Sequence, residues 1–121
     1  MNYIDMHCDT LAKAVEQKKE TAKKLEHTMV DAERLHRCGT KAQFFAMFLQ
    51  QKKEENWSDP GLAYTEKNNL WYTDAEIRKQ MQDMYEVYQN TMETCSDIIA
   101  PAYNYEGLQC NWRQGKVSAF L

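Results

Sequence analysis

The stretch Ala42-Gln43-Phe44-Phe45-Ala46-Met47-Phe48-Leu49 carries a single polar residue, Gln43, and constrains the fold more than any other part of the chain. Gly39 and Lys41 precede it, and Gln50 and Lys52 follow. A run of that length with those flanks suits a strand buried on both faces better than a helix. Residues 3 to 9 give a second strand by a different signal. Ile4, Met6 and Cys8 alternate with Asp5, His7 and Asp9, and in extended backbone successive side chains point to opposite faces. The reading is one apolar and one polar side. The closing residues Val117-Ser118-Ala119-Phe120-Leu121 give a third strand.

Between these strands the apolar period lengthens. Leu11, Ala14, Val15, Ala22 and Leu25 form a narrow stripe, which predicts an amphipathic helix from Thr10 to about Glu26. Asp31 is placed to cap a short helix carrying Leu35 and Cys38, with Gly39 as its left-handed C-terminal residue. Thr73-Asp74-Ala75-Glu76 has the capping-box pattern. Ile77, Met81, Met84, Tyr85, Tyr88, Met92 and Cys95 follow it at helical spacing, as a core-packing stripe. Ser58-Asp59-Pro60-Gly61 reads as a turn or a helix start. Asn104 caps a last helix, with Leu108 and Trp112 inside and Gly115 at its end. Strands separated by helices imply right-handed crossovers and a parallel sheet, so the class is α/β.

The 121 residues fit one domain, 1–121. With 15 basic and 18 acidic residues the net charge is -3, so no global basic field points to nucleic acid. Lys18, Lys19, Lys23 and Lys24 are interleaved with Glu16, Glu20 and Glu26, the pattern of a solvated helix face. No run of apolar residues is long enough for a transmembrane span. Met1-Asn2-Tyr3-Ile4-Asp5 lacks the regions of a signal peptide. Cys8, Cys38, Cys95 and Cys110 show no CxxC spacing. They are expected to be free thiols in a cytoplasmic protein, not a zinc ribbon. An apolar strand as the last element leaves an edge without a partner. The expectation is a truncated chain: the first three strand-helix units of a TIM-like (β/α)8 barrel.

Chemistry concentrates in Asp5-Met6-His7-Cys8-Asp9-Thr10. Imidazole nitrogen and carboxylate oxygen are both zinc donors, and the carboxyl end of a parallel barrel strand faces the usual active-site region. On spacing alone the metal signal is weak, and His7 simply hydrogen-bonded to Asp9 or to Asp5 is the better account of the pattern. Cys8, on the opposite side, reads as packing.

The surrounding sequence carries a resemblance. Ile4-Asp5-Met6-His7-Cys8-Asp9-Thr10-Leu11 resembles the opening strand of the membrane (renal) dipeptidase family, which runs into His-x-Asp. Val30-Asp31-Ala32-Glu33-Arg34-Leu35, Gly39-Thr40-Lys41-Ala42-Gln43-Phe44-Phe45-Ala46 and Gly115-Lys116-Val117-Ser118-Ala119-Phe120-Leu121 continue it in order, while residues 50 to 103 match only in helical character. Cys38, Thr40 and Lys41 depart from the family, standing where glycine and valine are common. The resemblance implies an eight-stranded α/β barrel with two zinc ions at its mouth and hydrolysis of a dipeptide substrate. His7 and Asp9 match the first-strand metal ligands, and Asp5 is a guess for a residue that orients them. The family's bridging glutamate and its later histidines and aspartate would fall beyond Leu121, so this chain is expected to hold at most a partial site, with no catalytic residue of its own, and to be inactive alone. His27 and His36 match no ligand position and read as surface residues. Two other readings stand beside this one. Another barrel amidohydrolase would usually show His-x-His. A small α/β interaction module without catalysis would self-associate through exposed strand edges.

Overall fold

A computed structural model describes residues 3–49 and 71–121 of the chain. The expected polar loop at 50–60 and the turn at Ser58–Gly61 lie outside the described residues. The elements in chain order are β1 (Tyr3–Cys8), α1 (Thr10–Glu16), α2 (Ala32–Arg37), β2 (Thr40–Phe45), α3 (Asp74–Thr94), β3 (Ile99–Pro101), α4 (Tyr105–Arg113) and β4 (Val117–Phe120). The four strands form one parallel sheet in the order β1-β2-β4-β3. The α/β class and the parallel sheet therefore hold.

The strand β3 was not expected. Its three residues, Ile99–Pro101, carry no alternation to read, and a proline is admissible only because this is an edge strand. It pairs with β4 through Ile99 and Val117, Ala100 and Ser118, and Pro101 and Ala119. As a result β4 lies between β2 and β3, so sequence neighbours are not all sheet neighbours, and the closing strand, expected to leave an edge without a partner, is paired on both sides. The strand β2 is also shorter than the apolar run. Its ladder ends at Phe44 opposite Phe120 on one side and with the Ala46 N–H donating to the Cys8 carbonyl on the other. Phe48 lies past both partners and is exposed.

One face of the sheet presents Cys8, Phe45, Ile99, Val117 and Ala119 to α1, α2 and α3. Leu11 and Ala14 of α1, Leu35 of α2, and Met84, Val87 and Tyr88 of α3 complete that core. Phe45 meets Tyr88 edge to face, with ring centroids 6.2 Å apart. The stripe on α3 is rotated from the expected one. Val87 and Thr91 are buried, while Met81 and Tyr85 are exposed. The helix keeps the expected capping box, with Thr73 accepting from the Glu76 N–H and Glu76 accepting from the Thr73 N–H.

On the other face α4 is fixed by Asn111, whose Nδ2 donates to the carbonyls of Ala100 and Pro101 and to the Ser118 hydroxyl. Asn111 takes the inward position, and Trp112, expected inside, is exposed with the Lys41 ammonium 5.1 Å from its ring centroid. Phe44 and Phe120 stack on the same face at 4.6 Å between centroids. Asn104 caps α4 by accepting from the Gly107 N–H, and Gly115 ends it at φ 73°.

The helix expected to reach about Glu26 stops at Glu16. Lys18 adopts φ 53°, the Lys18 N–H donates to the Val15 carbonyl and the Lys19 N–H to the Ala14 carbonyl. This is a Schellman termination without glycine. Ala22 and Leu25 are still buried, but in irregular backbone held by long-range bonds. The Ala22 N–H donates to the Thr91 hydroxyl at 2.8 Å. Asp31, fully buried, accepts from the Leu25 N–H, the Arg34 N–H and the Arg34 Nη1. That same nitrogen donates to the Leu25 and Thr28 carbonyls. One carboxylate thus caps α2 and organises the preceding loop.

Asp31→Ala strands a buried N–H and the Arg34 cation, so a loss of roughly 3 kcal/mol is expected in urea unfolding. A loss below 1 kcal/mol would show that the loop is held otherwise. Burial pushes the Tyr88 hydroxyl up to about 12, and this hydroxyl donates to the Ala119 carbonyl. Its folded pKa lies above the unfolded value of about 10, so its contribution is complete below that pH and lost as pH rises toward 12. Tyr88→Phe is expected to flatten the alkaline fall in stability; an unchanged fall contradicts this assignment.

Candidate functional site

The site is built at the carboxyl end of β1. Register places Asp5 beside Gln43 and Cys8 beside Phe45, with an irregularity between Asp5 and Cys8. Gln43 and Phe45 are two apart on one strand and share a face, so Asp5 and Cys8, three apart, share it too. The simple alternation expected for residues 3 to 9 is broken, and Asp5 does not share a side with His7 through strand pleating. Apolar burial is broken as well: Ile4 and Met6 are 53% and 68% exposed.

The irregularity gives Asp5 a specific task. Its Oδ1 accepts from the His7 backbone N–H at 3.1 Å. Asp5 thus acts on His7 through the main chain, where the sequence suggested a residue orienting the ligands. Cys8 points into the core, and burial pushes its thiol pKa up, partly opposed by hydrogen bonds to Thr10. It is a packing thiol, not a thiolate donor. All four cysteines are unpaired.

His7 Nε2 lies 3.3 Å from Asp9 Oδ1, with the two side chains 66% and 51% exposed. Asp9 occupies the N-cap position of α1, yet its carboxylate accepts no hydrogen bond from the first turn. Asn104, Thr73 and Asp31 all do so at their helices. The Asp9 carboxylate is directed to the imidazole instead. Two donors of a tetrahedral zinc, each about 2.1 Å from the ion, stand about 3.4 Å apart. The observed spacing and the donor types fit that requirement.

His7 and Asp9 border a surface depression of about 370 Å³, whose wall includes Thr10, His27, Met29 and Val30. The Thr10 hydroxyl donates to the Val30 carbonyl, which draws the 26–30 loop to the rim. His27, a surface residue by sequence, lines this depression at φ 53°. No local pattern announces it, because side-chain bonds from Asp31 and Arg34, six to nine residues apart from their partners, position the loop. His36 is exposed on α2. Among the described residues, no three His, Cys, Asp or Glu side chains lie close enough together to hold one ion. Among them also, no helix is long and apolar enough to cross a membrane.

Compared with models of protein families and with curated protein sequences, the chain matches none.

Because Asp9 does no capping, Asp9→Ala is expected to change unfolding stability by less than about 0.5 kcal/mol. Asn104→Ala, which removes a working cap, is expected to cost about 1 kcal/mol. Equal losses in denaturant titrations would assign Asp9 a structural role.

Proposed function

We propose that this chain is the amino-terminal part of a zinc-dependent dipeptidase barrel, a metallopeptidase in which His7 and Asp9 hold one metal ion. The observation that carries the reading is the exposed His7–Asp9 pair at 3.3 Å, with a carboxylate that performs no capping. The motif blocks that resemble the renal dipeptidase family support it. The parallel pairing of β1, β2 and β4 fits successive strands of such a barrel, while β3 takes the outer edge of β4, where a following barrel strand would have to pair in its place.

When bound, zinc supplies Lewis acidity and a water ionised near neutral pH. This chain's own residues do the holding. His7 donates a ring nitrogen, Asp9 an oxygen, and Asp5 fixes the backbone that carries the imidazole. A catalytic zinc usually has three protein ligands. Two donors therefore make a partial site, and the isolated chain binds metal without turning over a dipeptide.

A second reading, an interaction module that self-associates, draws support from the exposed Ile4 and Met6 on the edge strand β1. Sedimentation separates the two, since the module must be a defined oligomer whose formation is indifferent to His7→Ala and Asp9→Asn.

Titration calorimetry with Zn2+ is expected to show one site in the wild-type chain, lost in both His7→Ala and Asp9→Asn. A dipeptidase assay of the same preparation is expected to show no turnover. Wild-type binding that survives both substitutions removes the metal reading, and turnover by the isolated chain refutes the partial-site reading.

A further inference from the structure

We propose that the Asp5 carboxylate closes the open edge of β1 against pairing with a second copy of this chain. The inference is independent of the metal reading and concerns the backbone on which His7 stands.

A sheet in the order β1-β2-β4-β3 has two outer edges. An edge strand presents unpaired N–H and C=O groups, a template on which another strand can add. At β3 that template is small, since the strand has three residues and Pro101 has no N–H to offer. The strand β1 has six residues, pairs only with β2 among the described residues, and exposes Ile4 and Met6. It is the edge better suited to receive a visiting strand.

Successive residues of a strand aim their main-chain groups alternately at one neighbour and the other. The Cys8 carbonyl accepts from the Ala46 N–H, so Cys8 is turned toward β2 and His7, just before it, toward the open side. There the His7 N–H donates to the Asp5 Oδ1 at 3.1 Å, a bond made within β1 itself. An incoming strand would have to take that N–H from a charged acceptor and replace it with a neutral carbonyl, the weaker of the two partners. The register break between Asp5 and Cys8 adds to the obstacle, because an irregular strand pairs poorly with a regular one. Removing the carboxylate leaves an edge donor unpaired beside exposed apolar side chains. A two-fold axis then sets β1 of one copy antiparallel to β1 of the other and brings Ile4 and Met6 of both copies together.

Sedimentation equilibrium in metal-free buffer compares the wild-type chain with Asp5→Ala and Asp5→Asn. The wild type is expected to keep the mass of one chain, and Asp5→Ala to approach twice that mass as concentration rises. Asp5→Asn, whose amide oxygen can accept the same bond, is expected to remain a single chain. Adding Met6→Lys to Asp5→Ala is expected to restore the single chain, since a lysine on an edge opposes strand addition. Amide hydrogen exchange reads the bond in the wild type without any substitution. The His7 N–H is expected to exchange roughly tenfold or more slowly than in an unfolded peptide of the same sequence, the size of effect a hydrogen bond to a charged group gives. An unprotected His7 amide overturns the proposal, and so does an Asp5→Ala chain that keeps the native circular dichroism and stays monomeric. Association of Asp5→Asn equal to that of Asp5→Ala overturns it by assigning the effect to charge alone. A self-associating wild type overturns it in favour of the interaction module.

Discussion

The break in strand register between Asp5 and Cys8 sets how the side chains at the carboxyl end of β1 are placed. It turns Cys8 into the core beside Phe45 and Leu11. It leaves the His7 N–H to Asp5. With Cys8 anchored inward, His7 and Asp9 project outward on either side of it and meet at 3.3 Å. Irregular strand positions of this kind commonly re-aim a side chain.

Around that rim the molecule is held by a few polar groups that each satisfy several partners. Asp31 and Arg34 together bind the backbone at Leu25, Thr28 and the first turn of α2. Thr91 takes the Ala22 N–H while donating to the Val87 carbonyl, tying the loop to α3. Asn111 ties α4 to β3 and β4. The 17–31 segment, which contains no helix or strand, is therefore tied at several points to α2 and α3, and it forms part of the wall of the depression beside His7.

Local chemistry was legible in the sequence. The caps at Asp31, Thr73 and Asn104 and the left-handed glycines at 39 and 115 stand where their residue types place them, because each depends on neighbours a few positions away. The rest depends on distant partners. Lys18 ends α1 in a conformation more usual for glycine, so the stripe through Ala22 and Leu25 read as helix. Which of Met81, Val87 and Trp112 faces inward is set by the helices' rotation against the sheet, and β3 exists only because β4 offers an edge. At the site, His7 and Asp9 were legible as a spaced pair. Asp5 was named as a residue that orients them, but not its hydrogen bond from the His7 N–H; the placement of His27 at the same depression was not legible, since it follows from side-chain bonds to the 25–28 backbone.

The proposed function requires that His7 and Asp9 share a metal ion. Crystals of the chain soaked in Zn2+ and measured at the zinc absorption edge test it most directly. An anomalous peak is expected about 2.1 Å from both the His7 Nε2 and an Asp9 carboxylate oxygen. An ion bound elsewhere, at His36 or the exposed Cys38, with the His7–Asp9 pair unchanged, would contradict it.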